Sequence, residues 1–307
     1  MQAQQVSPDW RRRRTFRWGR RETRIALLFL SPAIVYFVLF FALPILMDFA
    51  MTFTSGTLLL GGSGEVVGLK NYIALLDDRV FHQSLITTAI FMLGGGGTTI
   101  VLGLALALLL NRRMRFRIAF RAVIFFPYMT SMVIIALIWS VIFDKQLGIL
   151  NYLLSLVGIP PVGWLNDPNM ALLAIIIVTV WWQTGYNMVL FLAGLQAIPS
   201  EYYDAAKVDG AGAIARFVNI TFPMLAPTTF FVVIITIIST SEAFIQPYIM
   251  TLGGPANATN IASYYIYNVA FTHMNLGYAS AIAFAMFAIT FAITAVLFRW
   301  WRAELEY

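Results

Sequence analysis

Six long apolar runs dominate this chain and limit what it can fold into. They cover residues 25–50, 84–110, 122–143, 171–195, 222–250 and 278–301. Each run can cross a bilayer as a helix, which needs roughly 17–25 residues. Only 11% of the residues are charged, whereas soluble domains carry about 25%. We predict an all-α polytopic membrane protein of six spans. A β-barrel is disfavoured because its strands would alternate over about 10 residues, and these runs are continuous.

Lysine and arginine are distributed unevenly about these runs. Seventeen of the 20 lie in segment 1–24, in the loops after the second and fourth runs, or near the C-terminus; the others are Lys70, Arg79 and Lys145. Because basic flanks stay in the cytoplasm, we predict that both termini are cytoplasmic. Residues 1–24 and 302–307 then form tails around a transmembrane domain of residues 25–301. The excess of Lys and Arg favours contact with anionic lipid headgroups. It does not indicate binding of nucleic acid, because the chain has no basic soluble domain.

Residues that could carry enzymatic chemistry are sparse. The two histidines, His82 and His273, are far apart in the sequence and show no metal-ligand spacing. No Walker sequence is present, so an ATP site is not expected in this chain. The four glycines at 94–97 lie inside an apolar run and suit close packing of helices. We therefore predict a non-catalytic chain that binds no cofactor or metal of its own.

The segment 196–222, here called the polar loop, is hydrophilic although it lies between two apolar runs. Ser200 is predicted as the N-cap of a short helix, with acidic residues in its first turn. Gly210 or Gly212 can end that helix in a left-handed conformation, and a second helix then leads to Pro223. Small residues on the exposed face would allow close approach by a partner. The other interpretation is a solvated loop without a partner.

The polar loop resembles the "EAA" loop of ABC-importer permeases. The family pattern is Glu-Ala-Ala, three residues, Gly, nine residues, Ile, one residue and Leu-Pro. This chain matches it at Asp204-Ala205-Ala206, Gly210, Ile220 and Phe222-Pro223, with Asp in place of Glu and Phe in place of Leu. Further stretches are similar to the carbohydrate importers of the maltose F-type or glycerol-phosphate A-type: Gly68-Leu69-Lys70-Asn71-Tyr72, residues 192–199, Thr251-Leu252-Gly253-Gly254-Pro255 and Gly277-Tyr278-Ala279-Ser280-Ala281.

The resemblance implies a type I importer of several chains in a prokaryotic plasma membrane. This chain would pair with a second homologous permease, and a homodimer of ABC ATPase subunits would bind ATP and Mg²⁺. An extracellular solute-binding protein would deliver a carbohydrate-like solute. The loop would couple the permease to the ATPase. The residues implied for coupling are Glu201, Asp204, Ala205, Ala206, Asp209, Gly210 and Pro223.

Polar and aromatic residues inside the apolar runs are candidates for the substrate path. Glu242 is an acid within a predicted span, where a charge is costly unless it faces a cavity or a partner. Gln246 follows four residues later, on the same face of a continuous helix. In the fourth run Trp182 and Tyr186 share one face; Gln183 and Asn187 lie on the adjoining face. Rings and polar groups suit a sugar, but contacts between helices or with lipid would explain the same residues.

Two other function classes remain open from the residues alone. A secondary transporter coupled to ions would need no partner loop and often shows inverted repeats, which this sequence lacks. A polytopic membrane enzyme would need clustered catalytic residues.

Overall fold

The computed structural model describes residues 20–56, 65–112 and 114–305. Most of the predicted basic tail therefore lies outside the described residues. The described part is helical, apart from one isolated bridge between Thr54 and Val66. The chain divides into two compact units, residues 1–50 and 51–307.

The first unit consists of the first span. Helix α1 (Arg20–Phe37) continues through a π-helical turn (Val38–Ala42) into α2 (Leu43–Met51). Pro44 has no N–H, and its ring excludes a bond to the carbonyl of Phe40, so a wider turn fits at this point. Almost all apolar side chains of this span are exposed, as expected of a helix surrounded by lipid.

The second unit contains the remaining helices. In its first half they are α3 (Lys70–Asp77), α4 (Arg79–Phe91), α5 (Thr98–Leu110), α6 (Arg117–Met129), α7 (Met132–Ile142), α8 (Ile149–Leu156) and α9 (Pro168–Ala197). In its second half they are α10 (Ser200–Val208), α11 (Ala213–Arg216), α12 (Phe222–Met224), α13 (Ala226–Ser241), α14 (Ile245–Met250), α15 (Ala262–Tyr267) and α16 (Leu276–Leu305). π-Helical turns join α4 to α5 (Met92–Gly97) and α11 to α12 (Phe217–Thr221), and another follows α15 (Asn268–Thr272).

Five helical stretches of the described chain are long and apolar enough to cross a membrane: Ile25–Met51, Arg79–Leu110, Pro168–Ala197, Ala226–Met250 and Leu276–Trp301. These agree with five of the predicted runs. The third predicted run, residues 122–143, corresponds to α6 and α7, which meet at an angle of 96°. The break falls at Thr130, which is extended, and Ser131, which has a φ of −56° and a ψ of 131°. The third crossing is therefore a bent pair of helices.

The fifth span is also interrupted. Helix α13 ends at Ser241, and α14 begins at Ile245. Pro247 explains the interruption, since its ring excludes a helical bond to the carbonyl of Ala243. That carbonyl instead accepts a hydrogen bond from the hydroxyl of Ser263 on α15. The expectation that Glu242 and Gln246 share one helical face is consequently wrong.

Helix α9 packs against α5, α6, α7, α13 and α14. Glycines allow the closest of these approaches. A Cβ added at Gly103 would lie 2.8 Å from Asn187 Cβ, and one at Gly185 would collide with the backbone of Ile124. The predicted packing role holds at Gly94 and Gly96, because a Cβ there would lie 3.1 Å from Ile176 on α9 and 3.2 Å from Thr236 on α13; at Gly97 a Cβ would meet open space. Glycine thus sets the close packing around α9.

The Asp78 corner, formed by Asp78, Tyr265 and Tyr278, ties α4 to α15 and α16. One carboxylate oxygen caps α4 by accepting the N–H groups of Val80 and Phe81, and the other accepts both tyrosine hydroxyls at 2.6 Å. Burial alone would raise the pKa of Asp78, but these four hydrogen bonds hold it below its ordinary value. Burial and the neighbouring carboxylate raise the pKa of Tyr265.

Candidate functional site

The polar loop starts where α9 ends. The chain extends at Ile198 and Pro199, and α10 begins at Ser200. The predicted N-cap is therefore displaced by one residue, because Pro199 occupies that position and Ser200 is the first helical residue. Glu201 lies in the first turn and Lys207 in the last, which suits the positive N-terminal and negative C-terminal ends of the helix dipole.

Gly210 ends α10 in the predicted left-handed conformation, with a φ of 75°. Its N–H donates to the carbonyl of Lys207, and the N–H of Ala211 donates to the carbonyl of Ala206. These two bonds form a Schellman motif, which satisfies carbonyls that the end of a helix leaves free. Gly212 has a φ of −68°, so the turn requires glycine at position 210.

The second helix of the polar loop leads into the fifth span, as predicted. It comprises α11, a π-helical turn and α12, where Pro223 lies exposed in the first turn. The hydroxyls of Tyr203 on α10 and Thr221 on the π-helical turn are 3.0 Å apart. This hydrogen bond links the two helices of the loop, so the loop has a defined shape of its own.

Most side chains of the polar loop point away from the rest of the unit. Asp204 and Lys207 form an exposed ion pair of 2.7 Å along α10. Ala205 and Asp209 are exposed, and Ala206 is half-buried. Val208 and Ile214 are 88% and 81% exposed, and sequence reasoning missed both. The available signal was the occurrence of two aliphatic residues within an otherwise polar loop.

An aromatic cluster lies at the break of the third crossing. Tyr128 of α6 stacks on Tyr186 of α9, with ring centres 4.5 Å apart and an interplanar angle of 16°. Its ring is 4.8 Å from that of Trp182. The indole N–H of Trp182 donates to the carbonyl of Thr130 at 3.3 Å. The predicted shared face of Trp182 and Tyr186 is confirmed, and it meets Tyr128, which the sequence did not single out.

The adjoining face of α9 is polar and buried. Gln183 donates to the hydroxyl of Ser239 at 2.9 Å. Asn187 is fully buried and donates to the hydroxyls of Thr99 at 3.0 Å and Thr236 at 3.3 Å, while its amide oxygen has no protein partner. In this structure both amides join α9 to neighbouring helices. This agrees with the interpretation of Gln183 and Asn187 as contacts between helices.

Glu242 lies exposed at the end of α13, beside a cavity of about 350 Å³. Four polar residues line this cavity together with four apolar ones: Ser241, Glu242, Ser263, Thr290, Ile266, Ala283, Met286 and Phe287. Gln246 is buried, 5% exposed, and does not line the cavity. A carboxylate, three hydroxyls and a phenyl ring can bind a small polar solute with an apolar face.

Comparison with known proteins places these features in a family. Residues 99–303 match the family described as "Binding-protein-dependent transport system inner membrane component". The chain is 34% identical to the trehalose/maltose transport system permease protein MalF of Thermococcus litoralis, over 90% of this chain and 93% of that protein. It is 35% identical to the sn-glycerol-3-phosphate transport system permease protein UgpA of Agrobacterium fabrum, over 91% and 95%.

A solved structure has the same fold. It is a bacterial alginate ABC transporter in complex with an alginate pentasaccharide-bound periplasmic protein; the matching chain has a TM-score of 0.80 and 20% identity, with 93% of this chain and 96% of that chain covered. The ion-coupled transporter and the membrane enzyme are not favoured by these likenesses. The protein is thus a multi-pass membrane protein of the prokaryotic plasma membrane, and it belongs to the family of inner membrane components of binding-protein-dependent transport systems.

Proposed function

We propose that this chain is one of two permease subunits of an ATP-driven importer for a neutral carbohydrate. The polar loop is its attachment to a cytoplasmic ATPase. The observation that carries this proposal is the exposed helix–Gly210–helix, which presents Val208 and Ile214 to the surroundings. The spacing of Asp204, Ala205 and Ala206 before Gly210 and membership of the permease family support the same role.

Assembly follows from this role. A homodimer of ATPase subunits binds ATP and Mg²⁺ and holds the polar loop of this chain and that of a second homologous permease. An extracellular solute-binding protein supplies the solute to the opposite side of the membrane. The excess of Lys and Arg beside the polar loop supports a cytoplasmic position for it and for both termini.

A neutral sugar fits the residues inside the bundle. In the cavity the carboxylate of Glu242 can accept the hydroxyls of a sugar, and Phe287 can stack on its apolar face. Tyr128, Trp182 and Tyr186, which do not line this cavity, offer further rings at the break between α6 and α7. The same carboxylate repels a phosphate or an acidic sugar. We therefore assign the chain to the substrate class named for the trehalose/maltose relative rather than that named for the glycerol-3-phosphate relative.

The two helix breaks supply a means of opening the path. Helix α7 packs against α14, and each follows a break in its own span. If the polar loops move together when ATP binds, α7 and α14 can shift as one body about Thr130 and Glu242. The aromatic cluster lies at the first of these breaks, so the movement changes the space beside Tyr128 and Trp182.

Site-specific crosslinking tests the attachment, because the chain contains no cysteine. Val208→Cys is expected to crosslink to a cysteine-containing ATPase subunit in native membranes, whereas Ser155→Cys, before the opposite end of α9, is not. Deletion of residues 201–212 is expected to abolish ATP-dependent uptake while the protein stays in the membrane. Uptake at the normal rate by the deletion variant would rule out the proposal.

A further inference from the structure

Helix α8 is mostly apolar and leaves one apolar face uncovered. Its sequence is ILNYLLSL, and Ile149, Tyr152, Leu153 and Leu156 are between 52% and 65% exposed. With 100° between successive residues, the exposed positions 149, 152, 153, 155 and 156 lie within an arc of about 160°, and the four apolar ones lie within about 100°. One face of this short helix is therefore apolar and uncovered.

A single buried side chain fixes the orientation of α8. Asn151 is 4% exposed, and its amide nitrogen donates to the carbonyls of Asp144, Lys145 and Val162. Its amide oxygen accepts from the N–H of Val162 at 3.0 Å and from the indole of Trp164 at 3.1 Å. Because this amide joins the segments before and after α8, the apolar side of the helix is held outward.

An exposed apolar surface of this size is unstable in water. Burial of apolar surface stabilises a protein roughly in proportion to the area removed from water, and three aliphatic residues and one tyrosine are exposed on a helix of only eight residues. An isolated helix this short is marginal even with a favourable sequence. Something outside the chain must therefore cover α8.

The charge pattern identifies what covers it. No Asp, Glu, Lys or Arg occurs between positions 146 and 166, whereas Asp144, Lys145 and Asp167 lie immediately outside that stretch. Tyr152 adds an aromatic ring with a polar tip, which is typical of the level of lipid headgroups. The neighbouring helix α7 also exposes an apolar stripe, which includes Val133, Leu137 and Val141.

We propose that α8 lies in the bilayer–water interface, with lipid covering Ile149, Tyr152, Leu153 and Leu156. The interface is the one beyond the N-terminus of α9, opposite to the polar loop. Helix α8 lies along the surface with Asn151 facing the protein, and the charged residues on either side of the stretch reach water. The segment between the third and fourth crossings is then an anchor in the membrane.

This position explains how the bent third crossing is held. Helix α6 has 13 residues, and at 1.5 Å per residue it is about 20 Å long, less than the roughly 30 Å of a hydrocarbon core. Since α7 turns away by 96°, the pair does not set its own depth as a straight span would. An interfacial helix directly after α7 sets the level of this end of the crossing.

Spin labels at single cysteines test the proposal in the assembled transporter. The variants are Ile149→Cys, Leu153→Cys and Leu156→Cys, each introduced into the cysteine-free chain and reconstituted in vesicles of phosphatidylethanolamine and phosphatidylglycerol. Oxygen concentrates in lipid, and a nickel chelate concentrates in water. We expect relaxation by oxygen to exceed relaxation by nickel at all three positions. Phe29→Cys, on the apolar first span, is the lipid control, and Lys145→Cys is the water control.

Each other outcome overturns the proposal. Strong relaxation by nickel at positions 149, 153 and 156 would mean that the helix is in water. Weak relaxation by both reagents would mean that a protein chain covers it. Nickel accessibility that disappears when the purified solute-binding protein is added would identify a docking surface for that protein. A second variant, Leu153→Lys, is expected to reduce relaxation by oxygen at position 156, whereas Ser155→Lys on the flank is expected to change it less.

Discussion

The polar loop and the Asp78 corner are both built from a few polar residues, but they use them in opposite ways. At the Asp78 corner one carboxylate accepts four hydrogen bonds and joins three helices. In the polar loop the acidic residues are exposed, and Asp204 pairs with Lys207 of its own helix. The corner thus satisfies its polar groups internally. The loop instead presents polar and apolar groups to the outside, as an attachment surface requires.

The two regions lie at opposite ends of the bundle. Leu110 at the end of α5 packs with Leu195 near the end of α9, beside the polar loop. Asp78 caps α4, at the other end of the same span. The comparison predicts that substitutions at the corner change stability, while substitutions of exposed side chains in the loop change transport and leave stability nearly unaltered.

The largest effect is expected at the Asp78 corner. Asp78→Ala leaves two tyrosine hydroxyls and the first N–H groups of α4 without their acceptor, at a cost of about 2–4 kcal/mol. Thermal unfolding of the purified protein in detergent measures this loss. Asp77→Ala is the matched control, because the neighbouring carboxylate is exposed, and it should change stability by less than about 0.5 kcal/mol. Equal effects of the two variants would contradict the role of the corner.

The next effect concerns Gly210. A side chain at a φ of 75° costs about 1–2 kcal/mol, so Gly210→Val should disturb the presentation of the loop and reduce uptake roughly tenfold. Gly212→Ala, at a φ of −68°, should retain at least half of the normal rate. ATP-dependent uptake in membrane vesicles, normalised to the amount of protein, provides the measurement. A similar loss of uptake in both variants would show that the left-handed conformation of Gly210 does not cause the loss.

A smaller effect is expected from pH. The pKa of Asp78 is lower in the folded protein than its ordinary value of 3.8. The carboxylate therefore contributes stability that is present above the unfolded pKa and is lost as pH falls through the folded pKa. The difference in unfolding temperature between the natural protein and Asp78→Asn should be constant from pH 7 to about 5 and should shrink below the ordinary Asp pKa. A difference that grew towards acid pH would contradict this account.

The smallest effect on stability is expected from the exposed ion pair. Lys207→Ala removes the contact with Asp204, whose side chain is 66% exposed. Exposed pairs of this spacing contribute about 0.2–0.5 kcal/mol. The unfolding temperature should therefore remain close to that of the natural protein, and the difference should decrease further at high salt. A loss comparable to that of Asp78→Ala would remove the contrast between the two regions.

The sequence predicted those elements whose signal is local. Length and hydropathy located five spans, because a membrane helix satisfies its own backbone and needs a continuous apolar run. Gly210 could be predicted as the residue that ends α10, because glycine readily adopts a positive φ. The observed N-cap of α10 is Pro199, one residue before the predicted Ser200.

The breaks in the third and fifth crossings depend on contacts between distant residues. Pro247 was a visible signal for the second break, but the partner of the freed carbonyl, Ser263, lies 20 residues away from Ala243. At the first break the carbonyl of Thr130 accepts from Trp182, 52 residues further along. Apolar composition alone does not reveal such contacts. For the same reason the partners of Asn187 and the position of Tyr128 could not be predicted.

Helix α9 is long enough to act as a rigid lever. It is an uninterrupted helix of 30 residues, about 45 Å long, and the polar loop begins directly after it. A tilt of about 5° about one end would displace the other end by about 4 Å, comparable to the width of a sugar ring. Small rotations at the polar-loop end of α9 can therefore be amplified into movements of this size at its other end.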